Sequence, residues 1–189
     1  LTYPEIKMMY WAGGNPFHHH QDLGRLIKAW QNPDTVVVHE WCWNSLAKRG
    51  DIVLPCTTPL ERQDIAMTPR DPYIISMSQL TEPYAQSRND YDIFAGIASE
   101  LGILEAFTGG CSDAEWQRTI YEDTRQTAAE MGHDLPEYER LLKKGWHKID
   151  DPSEPTIMLK QFRDDPAKNA LATPSGKIEI FSKTVSDFR

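Results

Sequence analysis

Apolar positions along this chain fall into two registers, and the switches between them predict its elements. Residues 6–11 (Ile-Lys-Met-Met-Tyr-Trp) are almost continuously apolar or aromatic without helical spacing, which predicts a buried strand. Leu23, Leu26, Ile27 and Trp30 then recur at helical spacing, so residues 19–30 are predicted to form one helix. Thr35, Val36, Val37, Val38 and His39 make a β-branched run, a second buried strand. Residues 43–48 read as a short helix, and Asp51-Ile52-Val53-Leu54-Pro55 as a third strand stopped by its proline. Strands alternating with helices at such spacings pair in parallel through right-handed crossovers.

Further along, Pro69, Pro72 and Pro83 forbid a long helix, and residues 73–77 fit a strand. Asn89 and Asp90 open a helix that carries Ile93, Phe94, Ile97, Ala98 and Leu101 on one face and has Gly102 past its end. Residues 112–131 form an acidic amphipathic helix capped by Ser112, with Glu115 as reciprocal partner, and residues 137–144 form another. Trp116, Tyr121, Trp146 and Phe162 are read as packing residues. Residues 150–155 read as a linker, and Thr173-Pro174-Ser175-Gly176 as a turn into an alternating strand at 177–181. The expected fold class is α/β: a parallel-sheet, nucleotide-binding (Rossmann-like) core, a mostly helical extension and a short C-terminal strand segment. The corresponding regions are 1–110, 111–150 and 151–189. The chain begins at Leu1 and stops at Arg189 soon after a strand-like run, so it is expected to be a piece of a longer polypeptide.

Three strand ends carry the candidate chemistry, because ligands on parallel sheets sit at the carboxyl ends of the strands. Gly13-Gly14-Asn15-Pro16 follows the first strand. Glycine admits positive φ, and a turn into a helix start gathers unpaired N–H groups suited to phosphate; the alternative is an ordinary βα connection. His18, His19 and His20 are disfavoured as a metal site, since adjacent side chains on a helix diverge and no partner cluster follows. Glu40 ends the second strand, where an acid either accepts from ribose hydroxyls or is solvated. After the third strand, Thr58 and Glu61 are placed to cap a short helix. Arg62 either holds a phosphate or base, or pairs with Glu61 or Asp64. Asp90 is a helix cap or a carboxylate placed to receive two N–H donors from a guanine edge.

Composition narrows the classes. With 28 acidic against 20 basic residues the net charge is −8, which argues against a nucleic-acid partner. No apolar run approaches the roughly 18 residues of a membrane span, so no membrane insertion is expected. Cys42, Cys56 and Cys111 are odd in number and widely spaced, as free thiols are. A nicotinamide dehydrogenase is disfavoured because the first turn lacks Gly-x-Gly-x-x-Gly.

Taken in order, these segments resemble one family. They are Ala12-Gly13-Gly14-Asn15-Pro16-Phe17-His18-His19-His20-Gln21-Asp22, Val38-His39-Glu40, Asp51-Ile52-Val53-Leu54-Pro55, Leu60-Glu61-Arg62, Asn89-Asp90-Tyr91-Asp92-Ile93-Phe94 and Thr173-Pro174-Ser175-Gly176-Lys177-Ile178-Glu179-Ile180. The set closely resembles the DMSO reductase family of molybdenum enzymes, in its dimethyl sulfoxide, trimethylamine N-oxide and biotin or methionine sulfoxide reductase subgroup. The resemblance spans nearly the whole chain and an interior part of a family member. It implies a molybdenum bis(molybdopterin guanine dinucleotide) cofactor, a small S-oxide or N-oxide substrate and an electron donor protein. The compartment stays open between bacterial periplasm and cytoplasm. By motif, Asn15 and His19 would touch the phosphate and pterin region, His39, Glu40 and Arg62 the nucleotide, and Asp90 the guanine. No catalytic residue or metal ligand of this chain is implied, since the family's serine ligand lies upstream. Cys56 stands where the family usually has alanine. The alternative is a nucleotide-binding or structural domain with no activity of its own.

Overall fold

The computed structural model describes residues 4–69, 71–150 and 156–188. The chain divides into two compact units, Leu1–Asp150 and Asp151–Arg189.

The first sheet is built as the apolar runs require. β1 (Met8–Trp11), β2 (Thr35–Glu40) and β3 (Ile52–Pro55) pair in parallel in the order β1-β2-β3, with Trp11 opposite Val38 and Glu40 opposite Pro55. β2 is the central strand and is buried from Val36 to its end. Its β-branched residues pack on Phe17, Trp30 and Leu46, with Met9, Trp11, Leu26 and Val53 at the margin. Asp51 ties β2 to the approach of β3: its backbone N–H donates to Val36 O at 2.8 Å, and its Oδ2 accepts from Val36 N at 2.7 Å. Gly50 precedes it because nothing larger fits: a Cβ there would lie 2.8 Å from Cγ2 of the fully buried Val38.

Two expected helices differ. Residues 19–30 do not form one helix. α1 (Pro16–His19) ends where His20 turns extended, and α2 (Leu23–Ala29) restarts behind Asp22, whose Oδ1 accepts from Arg25 N at 2.9 Å. An aspartate able to cap at that position competes with continuing the helix. Leu26 and Trp30 face the core, whereas Leu23 and Ile27 are exposed. Residues 43–48 yield only a 3-10 turn at Ala47–Arg49. There Asn44 Oδ1 accepts from the backbone N–H groups of Leu46 (2.9 Å) and Ala47 (3.0 Å), a local bond that displaces helical ones.

The second sheet is antiparallel, β4 (Asp64–Ala66) with β5 (Tyr73–Met77) and β5 with β6 (Trp146–Lys148). Of these, only β5 is anticipated by the sequence. α3 (Asp90–Glu100) and α4 (Leu104–Thr108) precede the long α5 (Asp113–Glu130). Ser112 and Glu115 form the reciprocal capping box expected of them. α6 (Tyr138–Lys144) then leads straight into β6. Ile74 of β5, Tyr121 of α5, Leu135, and Tyr138 and Leu141 of α6 form one core.

In the second unit, α7 (Lys160–Asp164) and α8 (Lys183–Asp187) are single turns. The turn expected at 173–176 is present, with Gly176 N donating to Thr173 O at 2.9 Å. The strand expected at 177–181 is not formed. Ile178, Ile180 and Phe181 are exposed, and no strand among the described residues pairs with them. An alternating pattern marks a strand only where a neighbour covers it. The linker expected at 150–155 lies, beyond Asp150, outside the described residues.

Candidate functional site

Parallel pairing brings the ends of β1, β2 and β3 to one edge, and their loops surround a cleft of about 460 Å³. Gly13, Gly14, Asn15, His39, Glu40, Arg62 and Asp90 line it, with Cys42 and Cys56. Five of the six residues singled out from the sequence thus share one cavity. The sixth, His19, is exposed beside Gly14 and stacks on His20, ring centroids 5.9 Å apart; His18 lines the cleft instead.

The first wall is the Gly13-Gly14 turn. Both glycines have positive φ, +79° and +67°, and a Cβ at Gly13 would meet nothing within 4 Å, so the backbone is open to a ligand. Trp11 Nε1 donates to Gly14 O at 3.1 Å and clamps the turn to the end of β1. Asn15 caps α1, its Oδ1 accepting from Phe17 N at 3.0 Å, while its Nδ2 donates to Ser45 Oγ at 3.2 Å. Asn15 is therefore held by two loops before any ligand arrives.

The second wall is charged. Glu40 is buried, yet its carboxylate has no hydrogen-bond partner among the described residues. Arg62 is held on three sides: Nη1 donates to Thr57 O at 2.9 Å, and Nε and Nη2 both reach Asp64 Oδ2 at 3.1 Å. Of its two candidate partners, Asp64 is the one engaged. Glu61 is occupied elsewhere, accepting at Oε2 from the N–H (2.7 Å) and Oγ1 (2.9 Å) of Thr58 in a turn that never becomes a helix. These bonds, and one from Tyr84 N, hold the Glu61 carboxyl below its ordinary value.

Asp90 is not the cap of α3. Asn89 takes the cap position, and Thr57 Oγ1 donates to its Oδ1 at 2.9 Å. Asp90 Oδ1 instead lies 2.6 Å from His39 Nδ1, and His39 Nε2 lies 2.6 Å from the Tyr10 hydroxyl. The His39 side chain is 1% exposed and that of Asp90 48%. His39 thus has both ring nitrogens engaged by the protein, while Asp90 Oδ2 has no partner among the described residues. Burial, then the Asp90 charge, raise the Tyr10 phenol above its ordinary value. Burial, followed by the Asp90 and Glu40 charges, pushes the Cys56 thiol up to about 11. Tyr10 is the site residue that the sequence did not disclose. Tyr10 sits in an apolar strand, and nothing in its spacing signals that its hydroxyl meets His39.

Among the described residues no group of three or more histidine, cysteine, aspartate or glutamate side chains is placed to hold a metal ion. No helix of the described residues is long and apolar enough to cross a membrane.

The sequence model of the molybdopterin oxidoreductases matches residues 2–100. The chain belongs to the molybdopterin oxidoreductase family. Its relatives include a biotin sulfoxide reductase of Cereibacter sphaeroides, 40% identical over 97% of this chain and 25% of the relative. A dimethyl sulfoxide/trimethylamine N-oxide reductase of Rhodobacter capsulatus is 38% identical over 97% of this chain and 23% of the relative. A trimethylamine-N-oxide reductase of Haemophilus influenzae is 40% identical over 98% and 23%. The chain therefore spans about a quarter of the length of the curated relatives it matches. Among solved structures, acetylene hydratase from Pelobacter acetylenicus superposes with a TM-score of 0.54 at 22% identity. That match covers 95% of this chain and 22% of the other, and it shows a shared α/β fold.

Membership of the molybdopterin oxidoreductases indicates a molybdenum–molybdopterin cofactor. The residues present fit such a group. An open glycine turn offers backbone amides, Arg62 offers a positive charge, and the unpartnered carboxylate oxygens of Glu40 and Asp90 offer acceptors to a polyhydroxylated, N–H-rich ligand.

Proposed function

We propose that this chain holds one molybdopterin guanine dinucleotide in a molybdenum oxidoreductase that reduces S-oxides or N-oxides. The bound molybdenum would supply the oxygen-atom transfer, with two electrons and two protons releasing the oxygen as water. The chain's own residues make no bond to the substrate; they bind and orient the cofactor. The Gly13-Gly14 turn and Asn15 face the phosphates, with His19 beside them on α1. Glu40 accepts from ribose hydroxyls through a carboxylate that faces the cleft and has no hydrogen-bond partner among the described residues. Arg62, already aligned by Asp64 and Thr57, approaches the nucleotide with little side-chain entropy left to lose. Asp90 takes the guanine edge, and His39 acts through Asp90 rather than by touching the nucleotide.

The observation that carries this reading is the convergence of Asn15, Glu40, Arg62 and Asp90, from four separate segments, on one cleft at the strand ends. Its substrate class follows that of the relatives, a biotin sulfoxide reductase, a dimethyl sulfoxide/trimethylamine N-oxide reductase and a trimethylamine-N-oxide reductase. The test is Asp90→Ala in the full-length enzyme, assayed for molybdenum and for guanine released on hydrolysis. Both are expected to fall together with activity. Wild-type content and activity in that variant would overturn the guanine role.

A further inference from the structure

Three elements meet at one imidazole. Tyr10 comes from β1, His39 from β2 and Asp90 from the first turn of α3. Phe94 closes the arrangement, its ring centroid 4.9 Å from His39 and 5.4 Å from Tyr10. The imidazole is shut away from solvent, yet the carboxylate that it touches is half exposed at the cleft. We propose that Tyr10 and His39 are positioning residues that present Asp90 as a pure acceptor and so select a nucleobase edge with two adjacent N–H donors. This rests on the reading of Asp90 as the nucleobase partner.

The direction of the line is that of a neutral His39 ring hydrogen-bonded at both nitrogens. A 2.6 Å contact between Nδ1 and Oδ1 requires a proton between them, because two facing lone pairs repel. With Asp90 ionised, that proton belongs to Nδ1, which donates. In the neutral ring Nε2 is then the acceptor, and the Tyr10 hydroxyl, 2.6 Å away, is the group that donates to it. The half-buried phenol keeps its proton, since partial burial and then the Asp90 charge oppose losing it. Each hydrogen in the line therefore points toward Asp90.

Oδ1 is fixed by this bond, which sets the carboxylate plane, and Oδ2 is left to the cleft. A carboxylate held so can accept two parallel bonds from neighbouring N–H groups, one at Oδ2 and one at the second lone pair of Oδ1. Guanine offers such a pair on its N1–H and 2-amino group. Hypoxanthine offers N1–H alone, and the corresponding nitrogen of adenine is an acceptor that the carboxylate repels. Without the relay Asp90 can still accept, but in many orientations, and the second bond is no longer prepaid in entropy.

The experiment is calorimetric titration of the full-length apoprotein with GDP, IDP and ADP. The native protein is expected to bind GDP about tenfold more tightly than IDP, as one charge-assisted hydrogen bond provides, and ADP more weakly still. Tyr10→Phe, which removes only the hydroxyl, and His39→Leu are expected to bring the GDP-to-IDP ratio toward one. Affinity for IDP, carried mainly by the phosphates, should stay within about twofold and reports that the cleft is still folded. If both variants keep the native ratio while Asp90→Asn loses it, the relay is structural and the proposal is overturned. If Asp90→Asn also keeps the ratio, the nucleobase reading of Asp90 falls, and the relay proposal with it.

Discussion

Cys42 and Cys56 line the same cleft but differ in what they can do. Cys42 is exposed, whereas Cys56 is half-buried, and burial, followed by the Asp90 and Glu40 charges, lifts its thiol to about 11. The thiolate is the nucleophile, so near neutral pH Cys42 is expected to be alkylated well before Cys56, as peptide mass spectrometry after brief iodoacetamide treatment checks. The same shift has a stability sign. Because the folded protein retains a proton that the unfolded chain releases, this contribution is intact below pH 9 and is lost as pH rises toward 11. Denaturation midpoints measured across that window should fall less steeply for Cys56→Ala than for the native protein. The residues that make this environment were only partly legible in the sequence. Glu40 and Asp90 stand out as acids at a strand end and a helix start. The link from Tyr10 through His39 to Asp90 joins residues 29 and 51 positions apart, and no local pattern encodes it.

At the scale of elements, legibility followed length and local chemistry. β2 was readable because three consecutive valines have no better use than a buried strand, and α5 because Ser112 and Glu115 announce its start. The break between α1 and α2 was hidden, since a helical stripe continues across it while Asp22 caps the second piece. β4 and β6 have three residues each, too short for any period to show, and exist through their pairing with β5. The run at 177–181 is the converse, a pattern without a partner strand among the described residues. The approach to β3 is a sensitive point. Gly50→Ala would drive a methyl into the side chain of Val38, and overpacking of this kind costs about 1–3 kcal/mol. Urea unfolding should show it, whereas Gly96→Ala, with nothing within 4 Å of the new methyl, should be neutral or slightly stabilising.

In the larger of the two units, two cores carry different duties. One supports the parallel sheet and the cleft at its edge; the other joins β5 to α5 and α6. Leu141 is fully buried in the second core, and Leu141→Ala is expected to cost about 2–5 kcal/mol in denaturant unfolding. The pairing of β5 with β6 also has a consequence for how the protein is made. β6 leaves the ribosome about 70 residues after β5, and contacts so distant in sequence form late. Until then β5, with Ile74 and Ile75 at its centre, presents an unpaired edge in the nascent chain, while α5 and α6 are still being synthesised. That interval is when a growing polypeptide is most exposed to mispairing with another copy. Translation stalled short of Trp146 would lengthen it, leaving a chain whose cleft-forming strands are complete but whose second sheet stays open to other chains.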